Sequence, residues 1–322
     1  MPTTIVHKYF FEDVLDKTSD GVRHQMDTNF MPIAALGPDH FLFSPWLYRK
    51  SRALLRLLQS THTADYIINM ATFIKEHKLM NNNQVMTYFY GTVSHMILDA
   101  TTHPYIIYKT GRFDKQKKKK TVKYNGLHSD LETFLDCYFI YTRENILPHE
   151  KKIYKVLDYK KEYTNDFINF IDKALFNTYG VNKGFKNYYH AIRGNYWYSR
   201  NYRNDPWKIK LPILKFYDKL TGKYHTNTQG YTYSMPFKNK YHYLNLEKKE
   251  WQHPVLAHKY YNTSFIELYI KAMDQTVKLI KDLEIYFNSK KDVRYLRKIV
   301  PNVSYYTGLD LSEKQTLKYF DF

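Results

Sequence analysis

The sequence holds two sets of side chains whose types and spacing suit metal chemistry. The first is His95-x-x-x-Asp99-x-x-x-His103, followed by Pro104. Steps of four along an α-helix keep three side chains on one face, with a drift of about 40° per step. Imidazole and carboxylate are zinc's usual protein ligands, and helices often present them at this interval. Asp99 is placed to bridge two metals, with one His serving each. The competing reading makes His95 and His103 hydrogen-bonded core residues. The second set, His128-x-x-x-Glu132-x-x-x-Asp136, repeats the spacing. Its helix also carries Leu127, Leu131, Phe134 and Leu135, so it is packed, and its polar stripe needs a purpose beyond solvation. Two such helices side by side would face one cluster.

Three upstream residues are weaker candidates by themselves. His7 lies in the apolar-aromatic stretch IVHKYFF, Asp39 follows the turn-forming Gly37-Pro38, and His62 lies in LLRLLQSTHTADYI.

Secondary-structure signals place His62 and the two sets of three on helices, with Asp39 in a turn. Helices are expected over Tyr9–Asp16, Tyr48–Lys78 and Asn83–His103, the last stopped by Pro104. Another is expected over Leu127–Tyr141, with Ser129 as N-cap before Glu132. Helical patterns also cover Glu150–Lys173 and Asn262–Phe287, where Phe265, Leu268, Ala272 and Leu279 recur at helical spacing. Tyr179–Asn245 reads as short helices and loops. No repeat and no linker is evident. The expected fold is all-α, a single compact multi-helix domain over residues 1–322. Its metal-binding core would cover about 1–145 and its helical C-terminal part about 146–322, with a basic loop at 109–126.

Composition agrees. Only 11 Gly and 11 Pro in 322 residues disfavour a turn-rich β-sandwich, and 43% hydrophobic residues suffice for a sizeable core. With Cys137 the one cysteine, no internal disulfide is possible. The net charge is +18, and +7 of it lies between Lys109 and Tyr124, which holds eight basic residues and one acidic. Such a chain attracts polyanions: nucleic acid, anionic lipid headgroups or phosphorylated substrates. No apolar run approaches the roughly 18 residues of a membrane span. With no signal pattern at its start, the chain is expected to be cytoplasmic, or peripheral at membranes.

The order His7, Gly37-Pro38-Asp39, His62, HMILDATTHP and HSDLETFLD resembles the zinc-dependent phospholipase C family, whose relatives include zinc-dependent single-strand nucleases. The likeness is specific through about residue 140 and weaker in WQHPVLAHKYYNTSFIELYIKAM and SYYTGL. The resemblance implies an all-α domain with two to three zinc ions in a cleft. Carried over by position, Asp39, His62, His95 and Asp99 would hold one zinc. His103, His128 and Glu132 would hold a second, and His7 with the bridging Asp99 a third. Secreted members complete that third site with the amine of an N-terminal Trp. Here removal of Met1 would expose the Pro2 amine as its replacement. Secreted members also leave five residues between the helix Asp and the next His, against three here, which sets His103 at the helix end.

The implied reaction is phosphodiester hydrolysis by a metal-activated water, with Asp39 the catalytic carboxylate and Asp136 holding a ligand His. Phospholipid, cleaved to diacylglycerol and a phosphorylated headgroup, is the expected substrate. Single-stranded nucleic acid and a purely structural metal role are the alternatives. Zinc suits the His-rich donors, although iron or manganese also binds mixed sites. No protein partner is implied. Phe41, Phe43 and Trp46 are expected either at the cleft mouth or in the core. The run KQKKKK is read as a lipid-facing or solvated loop.

Overall fold

A computed structural model of the chain describes residues 4–45, 49–114, 117–124, 126–221, 230, 232–233 and 238–321. The described elements are α1 (Thr4–Asp16), α2 (Asp20–His24), α3 (Met31–Ala35), α4 (Arg49–Ser60), α5 (Thr63–Glu76), α6 (Asn83–Thr110), α7 (Lys118–Thr121), α8 (Leu127–Glu144), α9 (Asn165–Tyr179), α10 (Gly184–Tyr198), α11 (Lys210–Thr221), α12 (Phe265–Phe287) and α13 (Val293–Ile299). A two-residue antiparallel pair, β1 (Trp251–Gln252) with β2 (Tyr260–Tyr261), is the one sheet among the described residues. The fold is all-α.

Helix α6 is the axis of the molecule. It packs against α1, α3, α5, α8, α9 and α12. Being surrounded, it carries apolar or small residues on almost every side: Val85, Met86, Phe89, Val93, Met96, Leu98 and Ile106 are all buried. Asn82 starts it by accepting the Val85 amide hydrogen at 3.1 Å. Gly91 allows α3 to come close, because a Cβ there would lie 2.6 Å from the Ala34 carbonyl. Helix α12 lies along it, opened by a reciprocal cap between Ser264 and Glu267.

Proline does not stop α6 as the sequence reading expected. The helix runs through Pro104 to Thr110. Proline lacks the N–H that would bond to the carbonyl four residues earlier, here that of Ala100. Gly308 settles against that carbonyl with φ +67°, and a Cβ there would lie 2.3 Å from the Ala100 oxygen. Tertiary packing thus overrides a local stop signal, and His103 sits inside the helix, not at its end.

Other boundaries also move. The run expected from Tyr48 to Lys78 is two helices, α4 and α5, broken at Thr61 and at His62, which holds a left-handed φ of 51°; Tyr48 itself is outside the described residues. Helix α8 starts behind Gly126, and Ser129 lies within it instead of capping it. Most of the helix expected over Glu150–Lys173 is absent. Short 3-10 turns at Pro148–Glu150 and Ile153–Val156 precede α9, which begins behind Thr164, whose hydroxyl accepts the Phe167 amide hydrogen. The basic segment is partly helical, since Lys109 belongs to α6 and α7 spans Lys118–Thr121. Among the described residues no helix is long and apolar enough to cross a membrane.

Candidate metal centre

Helices α1, α6 and α8 and the 3-10 turn Gly37–Phe43 bring the candidate ligands together. Two groups form. His7, Asp39, His95 and Asp99 each offer a ligand atom, all within 4.8 Å of one another, and so do His103, His128 and Glu132. Every member is buried except His128, which is half-buried. Asp99 stands between the groups. Its Oδ1 lies 3.3 Å from His7 Nε2, and its Oδ2 lies 3.1 Å from His95 Nε2 and 3.6 Å from His103 Nδ1. Glu132 Oε1 approaches His128 Nε2 at 3.0 Å and His103 Nε2 at 3.4 Å. The imidazoles of His7 and His95 stack with centroids 4.1 Å apart.

The backbone orients two of these rings. His95 Nδ1 donates to the Ala35 carbonyl at 3.2 Å, and His103 Nδ1 to that of Tyr305 at 2.9 Å. His95 then turns Nε2 toward Asp39 and Asp99, and His103 turns Nε2 toward Glu132, the usual way a ligating His is fixed. Asp39 Oδ2 lies 3.5 Å from His95 Nε2, while its Oδ1 accepts a 2.6 Å hydrogen bond from Gln59 Nε2. Gln59 Oε1 in turn accepts from the Tyr306 hydroxyl at 2.6 Å.

Burial and proximity set the protonation of the cluster. Burial raises the cost of a charge on Asp99, but His103, His95 and His7 outweigh it and hold the carboxyl well below 3.8. Burial works against protonation of His95, yet Asp39 and Asp99 push it up to about 10. Burial and the neighbouring His95 lower His7. Glu132 is held low against its burial chiefly by His128, and burial lowers His128 itself.

The donor set fits zinc. Three carboxylates and four imidazoles meet in a dry region. His7 Nδ1, His95 Nε2 and Asp99 Oδ2 are buried there without a well-directed hydrogen bond, although His95 Nε2 and Asp99 Oδ2 face each other at 3.1 Å. Unsatisfied buried polar atoms are costly, and in one spot they mark a place for an ion.

Two expected residues, His62 and Asp136, are placed differently. His62 lies at the start of α5, its side chain 62% exposed, with Nδ1 3.1 Å from Asp65. It joins neither group, because the break between α4 and α5 turns it outward, and Gln59, one turn earlier, reaches Asp39. Among the described residues Asp136 holds no ligand His. It lies at the N-terminus of α1, where its Oδ1 accepts the amide hydrogens of Ile5 and Val6, both at 3.0 Å. Its Oδ2 accepts from the Tyr233 hydroxyl and lies 3.6 Å from Arg203. Phe41 is fully buried against Tyr188, so it is core, and Phe43 lies against Tyr198. Pro2, Trp46 and part of the KQKKKK run lie outside the described residues.

Gln59, Tyr305 and Tyr306 escaped the sequence reading as site residues. The one signal was the family-like run SYYTGL, which gave no role to its tyrosines. A groove of about 550 Å³ lies along the other side of α6, lined by Ile97, Thr101, Leu268, Lys271 and Leu309 among others, and holds none of the candidate ligands.

Comparison with known proteins gives one match. The family model described as zinc dependent phospholipase C matches residues 6–182, a span that takes in every member of both ligand groups. No curated protein and no solved structure matches the chain.

Proposed function

The chain belongs to the zinc-dependent phospholipase C family, a phospholipase C-type hydrolase lineage, and from that premise we propose that it cleaves glycerophospholipids to diacylglycerol and a phosphorylated headgroup. The observation that carries the reading is Asp99, buried between the two groups of ligand-type side chains and facing a His of each.

In this reading His7, Asp39, His95 and Asp99 hold metal on one side of Asp99, and His103, His128 and Glu132 on the other. Two to three zinc ions would supply Lewis acidity at neutral pH and a net positive charge toward a phosphate diester. The chain's own residues set the geometry. The Ala35 and Tyr305 carbonyls fix the rings of His95 and His103. Gln59 fixes the plane of Asp39 through Oδ1, leaving Oδ2 to orient the attacking water and accept its proton. Three carboxylates do not neutralise three dications, so a phosphodiester anion is favoured in the site. Burial of the cluster strengthens these electrostatic interactions.

The net charge of +18 also favours single-stranded nucleic acid. One assay separates the readings. Zinc-loaded protein is given phosphatidylcholine in one reaction and single-stranded DNA in another, with and without a chelator. Chelator-sensitive release of diacylglycerol with phosphocholine supports the phospholipase. Nucleotide release with untouched lipid would replace it with the nuclease reading.

A further inference from the structure

We propose that α11 is a membrane-docking element whose outward face enters the headgroup layer of an anionic bilayer. The inference rests on the phospholipase reading and says where such an enzyme would meet its substrate surface.

The helix is exposed in an unusual way. None of its residues is buried, although its sequence, KLPILKFYDKLT, is half apolar. Leu211, Leu214, Asp218 and Thr221 are partly covered and form the side turned to the protein. A second apolar stripe points away from it. Ile209, just before the helix, and Ile213, Phe216, Tyr217 and Leu220 follow the spacing i, i+4, i+7, i+8, i+11, which is one continuous helical face. Their exposures run from 47% for Tyr217 to 69% for Leu220, and Trp207, just upstream, is 82% exposed. Contiguous outward apolar residues of this size mark an interaction surface.

Charge and residue type select the occupant. Lys208, Lys215 and Lys219 are exposed around the stripe, and Asp218 is the one acidic residue in the helix. Trp, Tyr and Phe beside Lys, with aliphatic residues between them, is the composition of a helix lying in the interface plane of a membrane. A protein partner for this face would need acidic complementarity as well as an apolar groove. An anionic lipid surface supplies both features at once, at roughly 1 kcal/mol per lysine near it.

The helix is also held firmly where it leaves the body. Buried Asp205 accepts the amide hydrogens of Ile209 and Lys210 at 3.1 Å through Oδ1 and that of Leu211 at 3.0 Å through Oδ2. Two residues earlier, buried Arg203 donates to the Thr4 hydroxyl at 2.7 Å and lies 3.6 Å from Asp136. Thr4 opens α1, which carries His7, and Asp136 lies one turn beyond Glu132 on α8. The docking helix is therefore anchored to two of the helices that carry candidate ligands.

The test is flotation with vesicles of phosphatidylcholine containing phosphatidylglycerol, beside vesicles of phosphatidylcholine alone. Full-length protein should float with the anionic vesicles, and Trp207 fluorescence should shift to the blue, a shift lost in Trp207→Phe. Ile213→Glu with Phe216→Glu should weaken binding by about tenfold or more. Lys215→Glu with Lys219→Glu should remove the preference for anionic vesicles. Both variants should keep wild-type zinc content, and hydrolysis of short-chain phosphatidylcholine dissolved as monomers should be unchanged. Equal flotation of wild type and the Ile213/Phe216 variant would overturn the proposal. So would a wild-type dimer in ultracentrifugation that this variant dissociates, since the face would then seat a second copy. Flotation requires no turnover, so docking without any phospholipid hydrolysis would sink the phospholipase reading and leave the docking helix standing.

Discussion

Helices α6 and α8 carry the same pattern, three metal-type side chains at steps of four, yet they use it differently. Helix α6 turns His95, Asp99 and His103 into the cluster. Helix α8 contributes His128 and Glu132, but its third residue, Asp136, is spent on the N-terminus of α1. The difference follows from what lies opposite each turn. On α6 the facing groups are ligand-type side chains from α1 and α8. On α8 the chain drifts past the cluster within one turn and meets the free amides that every helix leaves at its start. A carboxylate there satisfies two of them and favours the helix dipole. Spacing thus defines a face, and the neighbouring element decides what that face does.

The electrostatics of the two aspartates diverge accordingly. His103, His95 and His7 hold Asp99 well below 3.8 despite burial. Burial pushes Asp136 up to about 6, even though Arg203, Tyr233 and two backbone amides pull the other way.

Variants at the two positions should separate these roles. The largest effect is expected for Asp99→Ala. Zinc measured by mass spectrometry should fall in both groups, and kcat/KM on the substrate should drop by about a thousandfold or more. Full zinc content in this variant would remove Asp99 from its bridging position. Asp136→Ala should instead reduce stability. It removes the carboxylate that faces Arg203 and takes the acceptor from two buried amides, a loss of about 3 kcal/mol in urea titrations, while folded protein keeps its zinc. Loss of zinc at unchanged stability would return Asp136 to the expected role of supporting the metal ligands.

A pH series sharpens the contrast. A carboxyl whose folded pKa exceeds its unfolded value binds more protons when folded, so its contribution to stability declines as pH rises through the interval. For Asp136 the interval is 3.8 to about 6. The advantage of wild type over Asp136→Asn should therefore shrink from the lower to the upper end of that range. Asp99, shifted the other way, should contribute stability that is present above 3.8 and lost as pH falls below it. A wild-type advantage that grows across the Asp136 interval would contradict the assignment.

The smallest effects concern α4 and the start of α5. Gln59→Ala frees Asp39 Oδ1 and should lower kcat by about tenfold with metal retained. His62→Ala should change stability by no more than about 0.5 kcal/mol and leave zinc content unaltered, as befits an exposed side chain. Zinc loss in His62→Ala would put this residue, and not Gln59, beside Asp39.

The all-α class and the family were legible because long apolar periodicities and the order of His and Asp motifs survive in a single sequence. His95, Asp99, His103, His128 and Glu132 were legible because i, i+4 spacing on helices is a local property, whereas His7 and Asp39, weaker candidates by themselves, gain weight only through the family-like order of motifs. What the sequence hid was tertiary. Nothing local says that Thr61 and His62 interrupt a helical pattern, that Gly308 lets α6 pass through Pro104, or that Asp136 meets Ile5 and Val6, about 130 residues away. Tyr179–Asn245 was opaque because aromatic and polar residues alternate there without a clear period. Helix α11, with apolar residues on two sides, has no single face for periodicity to find.

The loop that carries Tyr305, Tyr306 and Gly308 has a consequence for how the protein is made. His103 is held by a carbonyl 202 residues away, and Gln59 by a hydroxyl 247 residues away. Contacts of such sequence separation form late, after the local helices have condensed. On the ribosome, α1 to α8 would emerge with their ligand side chains but without the strap that fixes His103 and Gln59. If the cluster takes up zinc as proposed, tight capture would therefore wait until Tyr305 and Tyr306 have left the ribosome and reached His103 and Gln59.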